Sequence, residues 1–465
     1  MSFPLRRSIL LGLGLALFGG PTASAQEALP GAWSGTLDTG AAELRIVFHI
    51  EQGEDGLTAT MDSPDQGATG IPVSDVTAAA DSVVLTVARI GGTYAGALAS
   101  GGDKIEGTWT QGGQSLALTL TPAEASDTGP PPRPQHPEPP YPYVQENVTF
   151  RNESVGLTLA GTLTRPEGDG PHPAAVLVSG SGPQDRNSEV FNHKLFHVLA
   201  DHLTRQGLAV LRYDERGVGA SEGTFDGATS EDFAGDVAAA VRFLREHDAV
   251  DADEVGLVGM SEGGLVAPMV HTRFEEVDFL VLMAGPSVPG HDILVEQRAQ
   301  IAAAQGVPPL AVDSVKRAQR RMLDKVRTAS DSAAIAERLR PMLEERGAND
   351  AQVRSQLEEM TDPWFQFFVR HDPAPALRRV DVPVLALYGS KDLQVPPEQN
   401  AAPMRAALTD SPSDDVTVRV LDGLNHLFQP AETGLPSRYA QIDTTMAPRA
   451  LETVSTWIRA RTAMD

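Results

Sequence analysis

From about residue 148 onward, the hydrophobic positions follow two alternating patterns. Short unbroken apolar runs, Ala174–Val178, Leu208–Tyr213, Val255–Val258, Phe279–Met283, Val384–Leu387 and Val416–Leu421, recur along the chain. Runs this short and this apolar predict strands buried on both faces, as in parallel sheets. Between them, Lys194–Gln206, Glu231–Glu246 and Arg449–Ala460 carry apolar residues every third or fourth position, which predicts amphipathic helices. Thr229, with Asp232 three residues on, supplies a cap for the second. A hairpin-like pattern at 148–150 and 157–163 opens the series. Strands alternating with helices in this way imply the α/β class, with a sheet covered on both faces.

One segment breaks the rhythm. Nearly a hundred residues between Ala284 and Val382 read as helix after helix: Val295–Gln305, Val312–Arg327, Ala333–Arg346 and Ala351–Met360. An insertion at the carboxyl end of a strand lies where such sheets build their sites, so a helical lid over about 286–380 is expected.

The first part of the chain has a different period. From Gly31 to Leu120, short alternating runs are broken by glycine and polar turns, with Gly31-x-Trp33-x-Gly35, Gly92-x-Tyr94-x-Gly96 and Gly107-x-Trp109 expected at strand edges. A small all-β domain over 26–122 follows, its aromatics more suited to filling a core than to lining a sugar or lipid pocket. Residues 123–145 hold Pro130 to Pro132, Pro134, Pro137, Pro139, Pro140 and Pro142. Polyproline is extended and semi-rigid, so this stretch is expected to be a spacer ahead of an α/β domain over 146–465.

Composition narrows the functional classes. Arg6 and Arg7, the apolar run Ile9–Phe18 and Ala23-Ser24-Ala25 have the form of a secretory leader, so the mature chain is expected to begin near Gln26, outside the cytoplasm. The apolar run is too short to span a bilayer comfortably. With no cysteine, disulfides, thiolate zinc sites and a thiol nucleophile are excluded. A formal net charge of −25 with only five lysines argues against nucleic acid as a partner and suits a strongly hydrated surface.

The chemistry centres on Glu254–Ala267, where an apolar strand runs through Gly259-Met260-Ser261-Glu262-Gly263 directly into a helical pattern. A serine at the apex of so sharp a turn is lifted toward base and substrate, and residues two before and two after it must be small. A second match, Gly219-Ala220-Ser221-Glu222-Gly223, has no helix behind it, so Ser221 is read as a loop serine. A serine hydroxyl needs a base and an acid that orients the base. Asp392 and His426 follow in the expected order, each just past a strand, with Asp422 the rival acid. Of the other histidines, His197, His202 and His247 fall on or at the ends of helices. The oxyanion donors expected are the backbone N–H groups of Glu262 and of Ser181, in Ser179-Gly180-Ser181-Gly182-Pro183-Gln184-Asp185-Arg186. Arg216-Gly217-Val218-Gly219 is no dinucleotide fingerprint, because its third glycine falls one residue late; neither cofactor nor metal is expected.

Together S-G-S-G-P-Q-D-R, R-Y-D-E-R-G-V-G-A-S at 212–221, S-E-G-G at 261–264, G-S-K-D at 389–392 and N-H-L-F at 425–428 resemble the α/β-hydrolase superfamily, and within it secreted bacterial EstD-type esterases. The resemblance implies an α/β-hydrolase fold and hydrolysis of small-molecule carboxylic esters through an acyl-enzyme, without metal or organic cofactor. Met260 departs from the histidine such proteins often carry there, which bears on substrate preference. Two other readings stay open: a serine peptidase using the same triad, and a binding protein with an inert hydrolase body.

Overall fold

In a computed structural model of the chain, the described residues are 28–39, 43–53, 56–124, 129, 131–168, 170–275 and 277–462. The leader expected over 1–25 lies outside them. Two compact units are present, and the main break between them falls between residues 129 and 130.

Alternation of apolar and polar positions builds the first unit. Within Ser82–Val87, Val83, Leu85 and Val87 are fully buried while the residues between them are not. Nine strands, from Gly31–Asp38 to Gln114–Pro122, form one antiparallel sheet ordered 4-3-2-1-9-8-7-6-5 along the chain. Trp33, Tyr94 and Trp109 lie inside strands, not at their edges as expected, because each ring points into the core. Phe48 packs against Tyr94 and Trp109 with ring centroids 5.9 and 6.3 Å apart.

The second unit is a sheet of eight strands: β1 (Val144–Asn152), β2 (Leu157–Arg165), β3 (His172–Val178), β4 (Ala209–Tyr213), β5 (Val250–Met260), β6 (Leu280–Met283), β7 (Val384–Gly389) and β8 (Val416–Leu421). Their spatial order is β1-β2-β4-β3-β5-β6-β7-β8. The opening hairpin and the pairing of β2 with β4 are antiparallel, and the pairings β4-β3, β3-β5, β5-β6, β6-β7 and β7-β8 are parallel. In β3 successive side chains feed opposite layers. Ala174, Val176 and Val178 meet helices α2 (Ser230–Arg245) and α3 (Glu262–Arg273), whereas Ala175 and Leu177 meet α1 (Leu195–Arg205). Thr229 and Asp232 form the expected reciprocal cap on α2. This is the α/β-hydrolase arrangement, an all-β unit preceding it.

Between β6 and β7 the lid is a helical body with its own core. Helices α4 (Gly290–Ala304), α5 (Pro309–Thr328), α6 (Ser332–Glu345), α7 (Asp350–Thr361) and α8 (Pro363–Arg370) enclose Leu323, Val326, Ile335, Leu339, Val353 and Val369. Among the described residues, no helix is long and apolar enough to cross a membrane.

The spacer expected over 123–145 requires correction. Arg133, nearly buried, donates from Nη2 to the carbonyls of Phe191 (2.9 Å) and Ala440 (2.8 Å) and from Nη1 to that of Ile442 (3.1 Å). Gln135 bonds the backbone of Thr445 and Met446, Tyr143 donates to Asp201, and β1 already begins at Val144. Proline supplies extension without internal hydrogen bonds, and the polar residues between the prolines use that extension to fasten the segment to the second unit.

Candidate active site

The turn from β5 to α3 is as sharp as the residue types imply. Ser261 has φ 54° and ψ −116°, a left-handed backbone unusual for a residue with a side chain. The two glycines around it are required by contact. A Cβ on Gly259 would stand 2.2 Å from the Gly263 carbonyl oxygen, and one on Gly263 would stand 2.1 Å from that of Val178. The Ser261 N–H donates to the Met283 carbonyl (2.8 Å), tying the apex to β6.

Two further strand ends converge on it. Asp392, 1% exposed, follows β7; His426 stands on the loop after β8. Nε2 of His426 lies 3.0 Å from Ser261 Oγ, and Nδ1 lies 2.8 Å from Asp392 Oδ2. The other carboxylate oxygen accepts the N–H groups of Gln394 (2.8 Å) and Val395 (2.9 Å). A carboxylate facing Nδ1 favours the tautomer with hydrogen there, leaving the Nε2 lone pair toward the serine hydroxyl. The histidine loop is shaped by Asn425, whose Oδ1 accepts the N–H groups of Leu427 (3.0 Å) and Gln429 (2.9 Å).

The loop after β3 lies beside the serine, with Gly180 so placed that a Cβ there would be 3.3 Å from Ser261 Cβ. Among the described residues, neither the Ser181 N–H nor the Glu262 N–H donates to a protein acceptor. Glu262 also has a buried carboxyl, whose Oε1 accepts from Ser230 Oγ (2.6 Å) and from Nε1 of the lid residue Trp364 (2.7 Å). Burial pushes that carboxyl above its usual range, and hydrogen bonds from Ser230, Trp364 and Ser181 oppose the shift.

The charged run after β4 grips this same loop. Arg186 forms a forked pair with Asp214 (Nη2–Oδ2 2.7 Å, Nε–Oδ1 3.0 Å), and Arg212 donates to Asn187. Glu215 accepts from Ser179 Oγ (2.6 Å) and Gln184 N–H (3.0 Å); burial, with Glu262 and Asp236 nearby, raises its carboxyl to about 8 against those two bonds. Arg216 is held by Asp236 through two bonds of 2.7 and 2.9 Å. The two motifs that stood apart in the sequence are therefore each other's partners.

Residues 156–411, more than half of the chain, match the X-Pro dipeptidyl-peptidase family, S15. The chain belongs to that family. It is a member of the α/β-hydrolase superfamily, similar to esterase EstD of Thermotoga maritima, with 25% identity over 281 residues. That match covers 60% of this chain and 60% of EstD, so the chain spans about three fifths of that relative. Among solved structures, the Pyrococcus furiosus esterase Pf2001 is 15% identical, covering 69% of this chain and 91% of its own at a TM-score of 0.44. The α/β hydrolase GrgF from Penicillium sp. sh18 is 18% identical, covering 69% and 99%, at 0.42.

In this S15 member the other candidates lie elsewhere. Ser221 Oγ donates to the Asp214 carbonyl (2.6 Å) and accepts the Ala160 N–H (2.9 Å), the work of a loop serine. Asp422 is exposed, and its carboxylate accepts from Ser390 Oγ (3.0 Å). His202 meets Ser455, His247 accepts the Ala249 N–H, and His197 lies edge-on to Tyr141. Glu215 and Trp364 were missed among the site's supports. The signal for Glu215 was present, since three charged residues, Asp214, Glu215 and Arg216, directly follow a buried strand. Among the described residues, no three or more His, Asp and Glu form a group that could hold a metal ion.

Proposed function

We propose that this chain is a serine carboxylesterase acting through an acyl-enzyme. The observation that carries the reading is the relay from Asp392 Oδ2 through His426 to Ser261 Oγ, 2.8 and 3.0 Å long. In this mechanism His426 takes the proton of Ser261 as Oγ attacks the ester carbonyl, while Asp392 stabilises the imidazolium. Charge developing on the carbonyl oxygen meets the N–H groups of Glu262 and Ser181. His426 then protonates the leaving alcohol, and water activated by the same histidine releases the acid. The similarity to EstD supports an ester as substrate.

The family match supports a second reading, cleavage of amides after an X-Pro dipeptide by the same relay. Steady-state hydrolysis of p-nitrophenyl esters from acetyl to long acyl, beside X-Pro and aminoacyl p-nitroanilides, separates the two with wild type and Ser261→Ala. Ester turnover abolished in the variant, with anilides untouched, is the expected result. Anilide cleavage in preference to esters moves the assignment to the peptidases, and activity surviving Ser261→Ala removes the nucleophile. We also propose export, with the leader removed after Ala25; the N-terminal sequence of the secreted protein tests it.

A further inference from the structure

The loop bearing the second oxyanion donor is held from behind by a side chain that takes no part in the relay. Glu215 stands just past β4, 6% exposed. Its Oε1 accepts from Ser179 Oγ (2.6 Å), its Oε2 accepts from the Gln184 N–H (3.0 Å), and its own N–H donates to the Gln184 carbonyl (3.1 Å). Both ends of the turn Ser179–Gln184 are thus fixed to one residue. Gln184 passes the constraint inward, since its Nε2 donates to the Ser181 carbonyl (3.2 Å). From the opposite side, the Ser181 hydroxyl lies near enough to the buried Glu262 carboxyl to favour its charged form.

We propose that Glu215 is a positioning residue of the oxyanion hole, holding the Ser181 N–H where the substrate carbonyl oxygen gains charge. The proposal rests on the reading of Ser261 as nucleophile and Ser181 as donor. Glutamine keeps an oxygen to accept the Gln184 N–H and turns its NH₂ to Ser179, whose hydroxyl can rotate to accept where it had donated, so both contacts of the brace persist. Leucine keeps the bulk and removes both contacts. Displacing one oxyanion donor by about 1 Å costs on the order of 10² in rate, and because the donor strengthens chiefly as charge develops, the loss falls on kcat.

The test uses the full chain with Glu215→Leu, Glu215→Gln and Ser261→Ala, measuring kcat and KM on a p-nitrophenyl ester together with thermal melting. Glu215→Leu is expected to lose about 10²-fold in kcat with KM within about threefold of wild type, and Glu215→Gln to stay within about threefold in both. Wild-type kcat in a folded Glu215→Leu, or a rise in KM with kcat intact, overturns the proposal. If the leucine variant fails to fold, Ser179→Ala decides, since it cuts the brace from the loop's side: a fall in kcat of about tenfold or more supports the proposal, and a smaller one overturns it. Activity persisting in Ser261→Ala marks failure of the nucleophile assignment, a result distinct from either.

Discussion

Replacing Asp392 by asparagine alters one group of atoms and leaves the outline of the side chain intact. In the native site one oxygen accepts the N–H groups of Gln394 and Val395 at 2.8 and 2.9 Å, and the other faces Nδ1 of His426 at 2.8 Å. Asparagine has a single oxygen to share between these positions. With the oxygen on the two N–H groups, its NH₂ faces Nδ1, which must then accept. Nε2 therefore carries the hydrogen, points it at Ser261 Oγ and cannot take the serine's proton. Flipping the amide restores the productive tautomer but leaves the buried Val395 N–H and the partly buried Gln394 N–H without an acceptor, at about 1–3 kcal/mol each. The productive orientation is then populated at roughly one part in thirty or less. The expected fall in kcat lies between about 30-fold and 10⁴-fold, with little change in KM. Ester hydrolysis at pH 7.5, normalised to folded protein by circular dichroism, measures it. A folded Asp392→Asn enzyme keeping more than about a tenth of wild-type kcat would refute the tautomer argument.

Two other outcomes follow from groups that do not touch the substrate. Ser221→Ala removes bonds to the Asp214 carbonyl and the Ala160 N–H, so it should cost about 1–3 kcal/mol in urea denaturation while ester turnover and fluorophosphonate labelling persist. Loss of labelling in the folded variant would transfer the nucleophile to the second G-x-S-x-G. Glu215 has its carboxyl raised from 4.5 to about 8, so the folded state keeps a proton that the unfolded chain has released in that window. This contribution to stability is full below about pH 4.5 and is lost as pH rises to about 8. Glu215→Gln cannot release the proton, and its stability should fall by on the order of 4 kcal/mol less than that of wild type over the same interval. Parallel stability curves from pH 5 to 8 would remove Glu215 as the titrating group.

The legible parts were those where local pattern and tertiary demand agree. The strand, elbow and helix around Ser261 could be read because close approach at Gly259 and Gly263 leaves no alternative to glycine, and that demand shows in the residue types. Asp392 and His426 could be read because each follows its own apolar strand, β7 fully buried and β8 partly exposed at the sheet edge. Helix α8 was missed for the opposite reason. Phe365 and Val369 face the lid core, whereas Trp364, Phe367 and Phe368 pack against the hydrolase core, so apolar residues cover both sides and blur the helical period. The proline-rich stretch revealed its extension but not its target, because the partners of Arg133 include carbonyls about three hundred residues away. Glu215 escaped because charge after a strand usually means a solvated turn, and only the facing loop makes it a buried brace.

The Arg133 fastening also bears on the order in which the protein is assembled. A nascent chain emerges from its N-terminus, and domains fold as their residues become available. In the first unit, seven of the eight strand-to-strand junctions join strands consecutive in sequence, and the eighth, between the first strand and the last, needs nothing beyond residue 122. That sheet can close while the hydrolase is still being synthesised. Arg133 is made early yet bonds the carbonyls of Ala440 and Ile442, so its guanidinium waits for more than three hundred residues before those acceptors exist. His426 likewise reaches Ser261 only late in synthesis. Fastening and relay therefore both wait for residues beyond 425, and the growing chain has no assembled contact between Ser261 and His426 before they are made.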